Sequence, residues 1–327
     1  MLWWPKLASN LIVSMSKQLK RNSRIWVAGH NGLVGSALVG KLRSNGFNNL
    51  ILRSRSELDL TNQQAVVRFF QDEHPEVVFL AAAKVGGIHA NSHFPADFIH
   101  QNLTIETNVI HTAWQFGAEK LIFLGSSCIY PRNCPQPIKE DYLLSSPLES
   151  TNEAYAIAKI AGVKMCQAYR QQYGFDAIAA MPSNVYGPGD NFDSNNSHVL
   201  PALIRRFCEA RSLTADKVEV WGDGSPKREF LHADDLASAL IVLAQAYSDA
   251  APVNIGSGHE IQISELASLV ATLSGFDGRI LFNSAFPNGT PRKLLDSSKI
   301  RSLGWEPEID LRTGIAATIS SYLSRFG

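Results

Sequence analysis

Tyr155 and Lys159 stand four residues apart in "EAYAIAKIAG", a spacing that puts both on one face of a helix. A phenol ionises near pH 10, about 10 in model peptides, so tyrosine alone is a poor acid–base group at neutral pH. A neighbouring ammonium favours the phenolate and lowers that value. The pair can then pass a proton to or from a substrate oxygen, and the lysine can also hold a ribose. Such pairs also occur as plain surface features of helices, so the elements around them must decide. Earlier in the chain, "GSSCIYP" follows the apolar run "KLIFL" and carries Ser126 and Cys128. Positions i and i+2 share one face of a strand, so both side chains reach one site if the extended geometry persists beyond Gly125. Cys128 reads either as a small core residue or as an acid or base. His198, in "NNSHVLP", has the same two readings.

The elements that must position these residues alternate. "RIWVAG", "NLILRS", "EVVFLAAA", "KLIFLGSS" and "DAIAAMPSNVYG" read as strands. Between them lie "LVGSALVGKLRSNG", "TNQQAVVRFFQDEH" with a polar cap at Thr61, "DFIHQNLTIETNVIHTAWQFG" and "NEAYAIAKIAGVKMCQAYRQQYG", all with helical spacing. This alternation predicts an α/β fold with a doubly wound parallel sheet. The strands are nearly all apolar, as strands covered on both faces should be. "GHNGLVG" joins the first strand to the first helix and sets Gly29, Gly32 and Gly35 three apart. Glycines there let the backbone approach a pyrophosphate, and the helix N-terminus offers N–H groups and a positive dipole end. A tight strand–helix turn without a ligand is the bland alternative. At the end of the second strand, Arg53 and Arg55 precede Glu57 and Asp59. Arginines at that position suit a 2′-phosphate and therefore NADP, while Asp59 and Leu60 border the adenine.

The texture changes after Gly187, where "PGDNFDSNNSH" opens a region of shorter elements. Residues 24–187 with about 228–256 are expected to form the Rossmann domain, and "REFLHADDLASALIVLAQAY" and "PVNIGS" to return to the main sheet, Asp234 capping the helix between. Residues 188–227 and 257–327 are expected to form a smaller α/β substrate domain. The first 23 residues read as an extension, with Met15 opening an ordinary start. That stretch is too broken for a membrane span and lacks the layout of a signal peptide. The chain has 327 residues with 30 basic and 30 acidic side chains. This balance removes the electrostatic reason to expect nucleic acid or an anionic membrane as partner. Four cysteines without a CxxC fit a reducing cytoplasm, and no Cys/His spacing implies a metal.

Taken together, "VAGHNGLVGSA", "AAAKVGGIHAN", "LGSSCIYP", "TNEAYAIAKIAG", "NVYGPGDNF", "NNSHVLPALIRRF", "WGDGSPKREFLHADD" and "PRKLLD" resemble the GDP-L-fucose synthase family, a branch of the extended short-chain dehydrogenases/reductases. The resemblance runs in order, with nearly even spacing, from Arg24 to the end. It implies epimerisation of GDP-4-keto-6-deoxy-D-mannose at C3 and C5, then NADPH-dependent reduction at C4, by a homodimer joined through helices of the main domain. It implies that Ser126 and Tyr155 bond the C4 carbonyl, with Tyr155 as proton donor and Lys159 as its partner. Cys128 becomes the epimerisation base and His198 the acid on the opposite face. The cofactor falls to Gly29, His30, Asn31, Gly32, Leu33, Val34 and Gly35, to Arg55, Asp59 and Leu60, and to Leu124, Gly125, Lys159, Pro182, Ser183, Asn184, Val185 and His198. The GDP end falls to Arg206, Trp221, Arg228, Lys293 and Asp296.

One position departs from the family, whose glycine loop usually carries arginine where this chain has Asn31. Arg55, with Arg53, must then carry NADP selectivity, and the chain is expected to discriminate NADPH from NADH less than the family does. Two other readings compete. One is another nucleotide-sugar reductase or 4-epimerase on the same scaffold, which needs no extra acid–base pair. The other is a dinucleotide-binding regulator without catalysis, which need not keep Ser126, Tyr155 and Lys159.

Overall fold

The computed structural model describes residues 19–193 and 197–327. The extension expected over the first residues, Met15 included, lies outside the described residues but for its last few. From Ile25 the strands and helices alternate as predicted. Strand β1 (Ile25–Ala28) leads into helix α1 (Leu33–Ser44), then β2 (Leu50–Ile51), α2 (Gln63–Glu73), β3 (Val77–Leu80), the short α3 (Ile88–His93) and the long α4 (Pro95–Gln115). β4 (Lys120–Leu124), α5 (Glu153–Tyr173), β5 (Asp176–Pro182) and β6 (Asn184–Tyr186) follow. The main sheet is wholly parallel, in the order β2-β1-β3-β4-β5, closed by β9 (Val253–Ile255). Every residue of β1, β3 and β4 is buried, which is why these segments read as continuous apolar runs. On one face Trp26, Val78 and Phe123 pack with Phe70, Ile110 and Val163 from α2, α4 and α5. On the other, Val27, Phe79 and Ile122 meet Leu38 and Leu42 of α1 and Leu240 of α7 (Ala233–Ala246).

The second half carries α6 (Val199–Ser212), β7 (Lys217–Trp221) and β8 (Lys227–His232) before α7. After β9 come β10 (Glu260–Gln262), α8 (Ile263–Ser274), β11 (Arg279–Asn283), β12 (Arg292–Lys293), α9 (Ser298–Ser302) and α10 (Leu311–Phe326). β8 lies between β10 and β12 and also pairs with β6, while β7 pairs with β11. A third apolar cluster, with Leu203, Phe207, Leu266 and Ile315, joins α6, α8 and α10.

Four local expectations are corrected. "REFLH" does not return to the main sheet: it is β8, in the second sheet, and only α7 and β9 rejoin the first. The helix after it is capped by His232, whose Nδ1 accepts from the Asp234 amide at 3.2 Å, rather than by Asp234. Helix α2 is capped by Asn62, whose side chain accepts from the Ala65 amide at 3.1 Å, rather than by Thr61. The fifth predicted strand breaks at Ser183, because β5 belongs to the first sheet and β6 to the second.

Candidate active site

The parallel strands end at one edge of the sheet, where a cleft of about 1400 Å³ separates the main sheet from the second half. The crevice outside the carboxyl ends of the strands is the usual ligand site of such sheets. The glycine loop forms one end of it. Gly29 has φ +88°, and a Cβ there would lie 2.8 Å from the Ala82 nitrogen. A Cβ on Gly35 would lie 2.1 Å from the Gly29 carbonyl oxygen. Both glycines are therefore needed for the turn to close. Gly32, the N-cap of α1, offers no side-chain cap, and the first turn carries no acidic residue. The first amides of α1 are left for an anion, so these residues fit a dinucleotide pyrophosphate. His30, Asn31, Leu33 and Val34 complete this end of the lining, and Arg55, Asp59 and Leu60 stand beside it.

The two arginines of the second strand's end differ in availability. Arg53 pairs with Glu73, which also holds Arg24 at 2.9 Å. Arg55 is exposed beside the cleft, and its charge helps hold the Asp59 carboxyl below the usual range, after the hydrogen bonds from Thr61. Arg55 is therefore the freer cation for a 2′-phosphate. Arg55→Ala should lower the NADPH-to-NADH ratio of kcat/KM by about tenfold, the worth of a charged hydrogen bond. A ratio that stays within twofold would return that role to Arg53.

Beyond the tip of β4 the backbone turns. Ser126 is still extended, but Ser127–Ile129 is a single 3-10 turn. The strand geometry that would have put Ser126 and Cys128 on one face is thus absent, yet the two side chains meet. The Cys128 thiol donates to the Ser126 hydroxyl oxygen at 3.0 Å, and the Cys128 amide donates to the same oxygen at 3.3 Å. The turn brings the i+2 side chain back instead of extending it. Tyr130 anchors it from below, donating its hydroxyl to Asn254 of β9 at 2.6 Å.

Helix α5 supplies Tyr155 and Lys159 on one face, as their spacing predicts. Lys159 is buried, and its ammonium donates to the Leu124 carbonyl at 3.0 Å and pairs with Glu106 of α4 at 3.1 Å. It lies 6.0 Å from the centroid of the Tyr155 ring. Burial pushes the Tyr155 phenol well above its ordinary range, the Cys128 and Glu106 charges add to this, and a hydrogen bond with Ser126 opposes it. Burial also raises the Cys128 thiol, against the Lys293 ammonium and the Ser126 hydroxyl. His198 is the N-cap of α6 on the cleft's far wall. Desolvation by the walls, then the Lys293 charge, holds its imidazole below the usual range and therefore neutral.

Lys293 therefore stands near Cys128, Cys134 and His198, all of which feel its charge. Farther out, the Arg206 guanidinium lies 4.7 Å over the Trp221 ring, which stacks on Phe286 at 4.4 Å with an interplanar angle of 8°. Arg228 donates to the carbonyls of Lys227 and Asn288, at 2.9 and 3.3 Å. Burial lowers its guanidinium to about 10, which leaves it charged at neutral pH. Pro182, Ser183, Asn184 and Val185 line the cleft between these ends, with Leu124 and Gly125. Asp296 is the exception among the expected residues. It does not line the cleft, and it accepts from the Ser298 amide at 3.0 Å and from its hydroxyl at 2.5 Å, at the start of α9. Sequence reasoning passed over Glu106 and Phe286. A glutamate on the face of α4 that also buries Phe98, Asn102 and Val109 was the one readable signal.

Residues 25–256 match the NAD dependent epimerase/dehydratase family. Over 317 residues the chain is 58% identical to GDP-L-fucose synthase 1 of Arabidopsis thaliana, covering 97% of this chain and 98% of that one. Among solved structures, a GDP-6-OMe-4-keto-L-xylo-heptose reductase from C. jejuni superposes with a TM-score of 0.88 at 40% identity, covering 94% of this chain and 99% of that one. A GDP-L-fucose synthetase from Naegleria fowleri bound to NADP gives 0.87 at 25% identity, covering 95% and 98%.

Proposed function

We propose, since the chain belongs to the NAD dependent epimerase/dehydratase family and within it to the GDP-L-fucose synthases, that it epimerises GDP-4-keto-6-deoxy-D-mannose at C3 and C5 and reduces it at C4 to GDP-L-fucose. What supports this reading above a simple reductase is that Cys128 and His198 line the same cleft as Ser126, Tyr155 and Lys159. A reductase or 4-epimerase has no use for that second acid–base pair. The glycine loop, Arg55 and the residues from Pro182 to Val185 would hold NADP, which in its reduced form supplies the hydride for C4. The main sheet carries this end and the smaller half carries the GDP end.

The chemistry of the residues follows from the ketone. A 4-keto group acidifies the C–H bonds at C3 and C5, because the resulting carbanion is an enolate. Cys128, as thiolate, takes the proton from that carbon, with Lys293 and Ser126 favouring the charged sulfur. The hydroxyls of Ser126 and Tyr155 donate to the enolate oxygen, which lowers the barrier where charge develops. His198 returns a proton to carbon from the opposite face. The negative charge that the substrate diphosphate brings among Arg206, Arg228 and Lys293 favours its imidazolium, the form that has a proton to give. After two such exchanges, Tyr155 gives its proton to the C4 oxygen and completes the reduction. Trp221 borders the guanine, with Arg206 fixing its indole from the other side.

The chain acts, in this reading, as a cytoplasmic homodimer. No described helix is long and apolar enough to cross a membrane. Helices α4 and α5 pack side by side and present Trp114 stacked on the exposed Tyr173, a surface that a second copy would cover. Incubation with GDP-4-keto-6-deoxy-D-mannose and NADPH, with the product sugar identified by NMR, tests the reading. GDP-L-fucose is expected. A C4-reduced sugar with unchanged C3 and C5 would make the chain a reductase, and no cofactor oxidation with any keto-sugar would make it a regulator. Light scattering on the same sample should give twice the 35.9 kDa of one chain.

A further inference from the structure

Glu106 has no place in the chemistry above, yet it is one of the most deeply buried charged side chains, at 1% exposure. It reaches from α4 to the Lys159 ammonium at 3.1 Å. Neither of its oxygens has another hydrogen-bond partner among the described residues. A carboxylate taken out of water and satisfied by a single ammonium is expensive to hold, so its position calls for a reason beyond packing. Its surroundings supply one. The ammonium it holds also donates to the carbonyl of Leu124, two residues before Ser126, and sits 4.6 Å over the Phe123 ring. Three elements, α4, β4 and α5, thus converge on one nitrogen. Gly162 on α5 keeps the contact open, since a Cβ there would lie 2.8 Å from Glu106 Oε2 and 2.4 Å from the Phe123 ring.

We infer that Glu106 is a positioning residue of the Tyr155–Lys159 pair: its carboxylate holds the ammonium against the Leu124 carbonyl and balances that charge, so that Tyr155 stays a phenol, the form that can give a proton to the C4 oxygen. The inference rests on the reductase half of the proposed function. An uncompensated ammonium beside Tyr155 would favour the phenolate, which suits an alcohol dehydrogenase removing a proton and not an enzyme that must donate one. The other charged or titratable groups around the pair are Cys128 beyond β4 and Cys166 on α5, both buried thiols. Burial raises the Cys166 thiol, and the Glu106 charge adds to it. Burial likewise raises Glu106 itself, against the pull of Lys159. Lys293 acts by its charge on Cys128. Glu106 is thus the described carboxylate that bears on both members of the pair.

The test follows NADPH consumption with the GDP-keto-sugar from neutral to alkaline pH in wild-type protein, Glu106→Gln and Glu106→Asp. Glu106→Gln removes the charge with little change of shape. Its basic limb of kcat/KM should move to lower pH by about one unit, with kcat down about tenfold at the alkaline end and KM for the GDP-sugar within twofold. Glu106→Asp keeps the charge and should keep the wild-type limb, even where its turnover is lower. If both variants lose activity equally with unmoved limbs, the residue is structural only and the inference fails; it fails too if Glu106→Gln matches wild type throughout. If Glu106→Gln does not fold, Glu106→Asn, neutral and smaller, is read in its place. Wild-type protein that consumes no NADPH would sink the proposed function instead, so the two failures are distinct.

Discussion

Tyr155→Phe should slow NADPH consumption by about 10²–10⁴-fold, the usual worth of a positioned proton donor, while NADPH still binds. The ring remains, so its edge-on contact with Phe98, at 6.2 Å between centroids, is kept, and the change removes one oxygen. In the proposed function that oxygen is the proton source for the C4 oxygen; the Ser126 hydroxyl, which accepts from the Cys128 thiol and amide, can donate a hydrogen bond there but is too weak an acid to give up its proton. Proton exchange at C3 and C5 should fall less than reduction, because Ser126 still donates to the enolate oxygen. The check is stopped-flow absorbance of the reduced nicotinamide, alongside deuterium uptake from D₂O by NMR. Reduction within tenfold of wild type would remove Tyr155 from the acid role.

Cys128→Ser should do the reverse. Deuterium uptake at C3 and C5 should fall by about 10²–10⁴-fold, with reduction at C4 affected far less. Serine is close in size and fits the same 3-10 turn, but its hydroxyl ionises many units above a thiol and cannot serve as the base. The reduced product should then keep the configuration of the starting sugar at both carbons. The sulfur's neighbours sharpen the expectation. Ser126 and Lys293 favour the thiolate against the burial that opposes it, and neither can rescue a hydroxyl by the same margin. A Cys128→Ser protein that exchanges deuterium at the wild-type rate would pass the base to another group, and the two-function reading would lose its main support.

Much of this molecule was legible before any coordinates. The apolar runs of β1, β3 and β4 and the helical spacing between them predicted a parallel, doubly wound sheet, because burial on both faces leaves a pattern in every residue of a strand. Gly29, Gly32 and Gly35 were legible because a tight turn at a helix N-terminus demands glycine locally. Tyr155 and Lys159 were legible because helical periodicity alone puts them on one face. These are short-range constraints, written within a few residues of where they act.

What the sequence could not determine depends on approach between distant segments. The partner of Lys159 comes from α4, fifty-three positions earlier, and no spacing announces it. Arg53 and Arg55 look alike in "LRSRSELDL", but only the packing of α2 gives Glu73 to Arg53 and leaves Arg55 free beside the cleft. Lys293 and Asp296 share one short motif, yet β12 carries the lysine toward Cys128 while the aspartate turns to the Ser298 amide and hydroxyl. At "GSSCIYP" the two side chains meet, but not by the strand geometry that their spacing suggests. Ser126 and Cys128 meet through a 3-10 turn that β9, through Asn254 and Tyr130, holds from outside the segment. By itself the sequence determined the fold class and which residue types gather at the sheet's edge. Tertiary structure decided which charges remain free there and which face one another, because desolvation and ion pairing act through space and not along the chain.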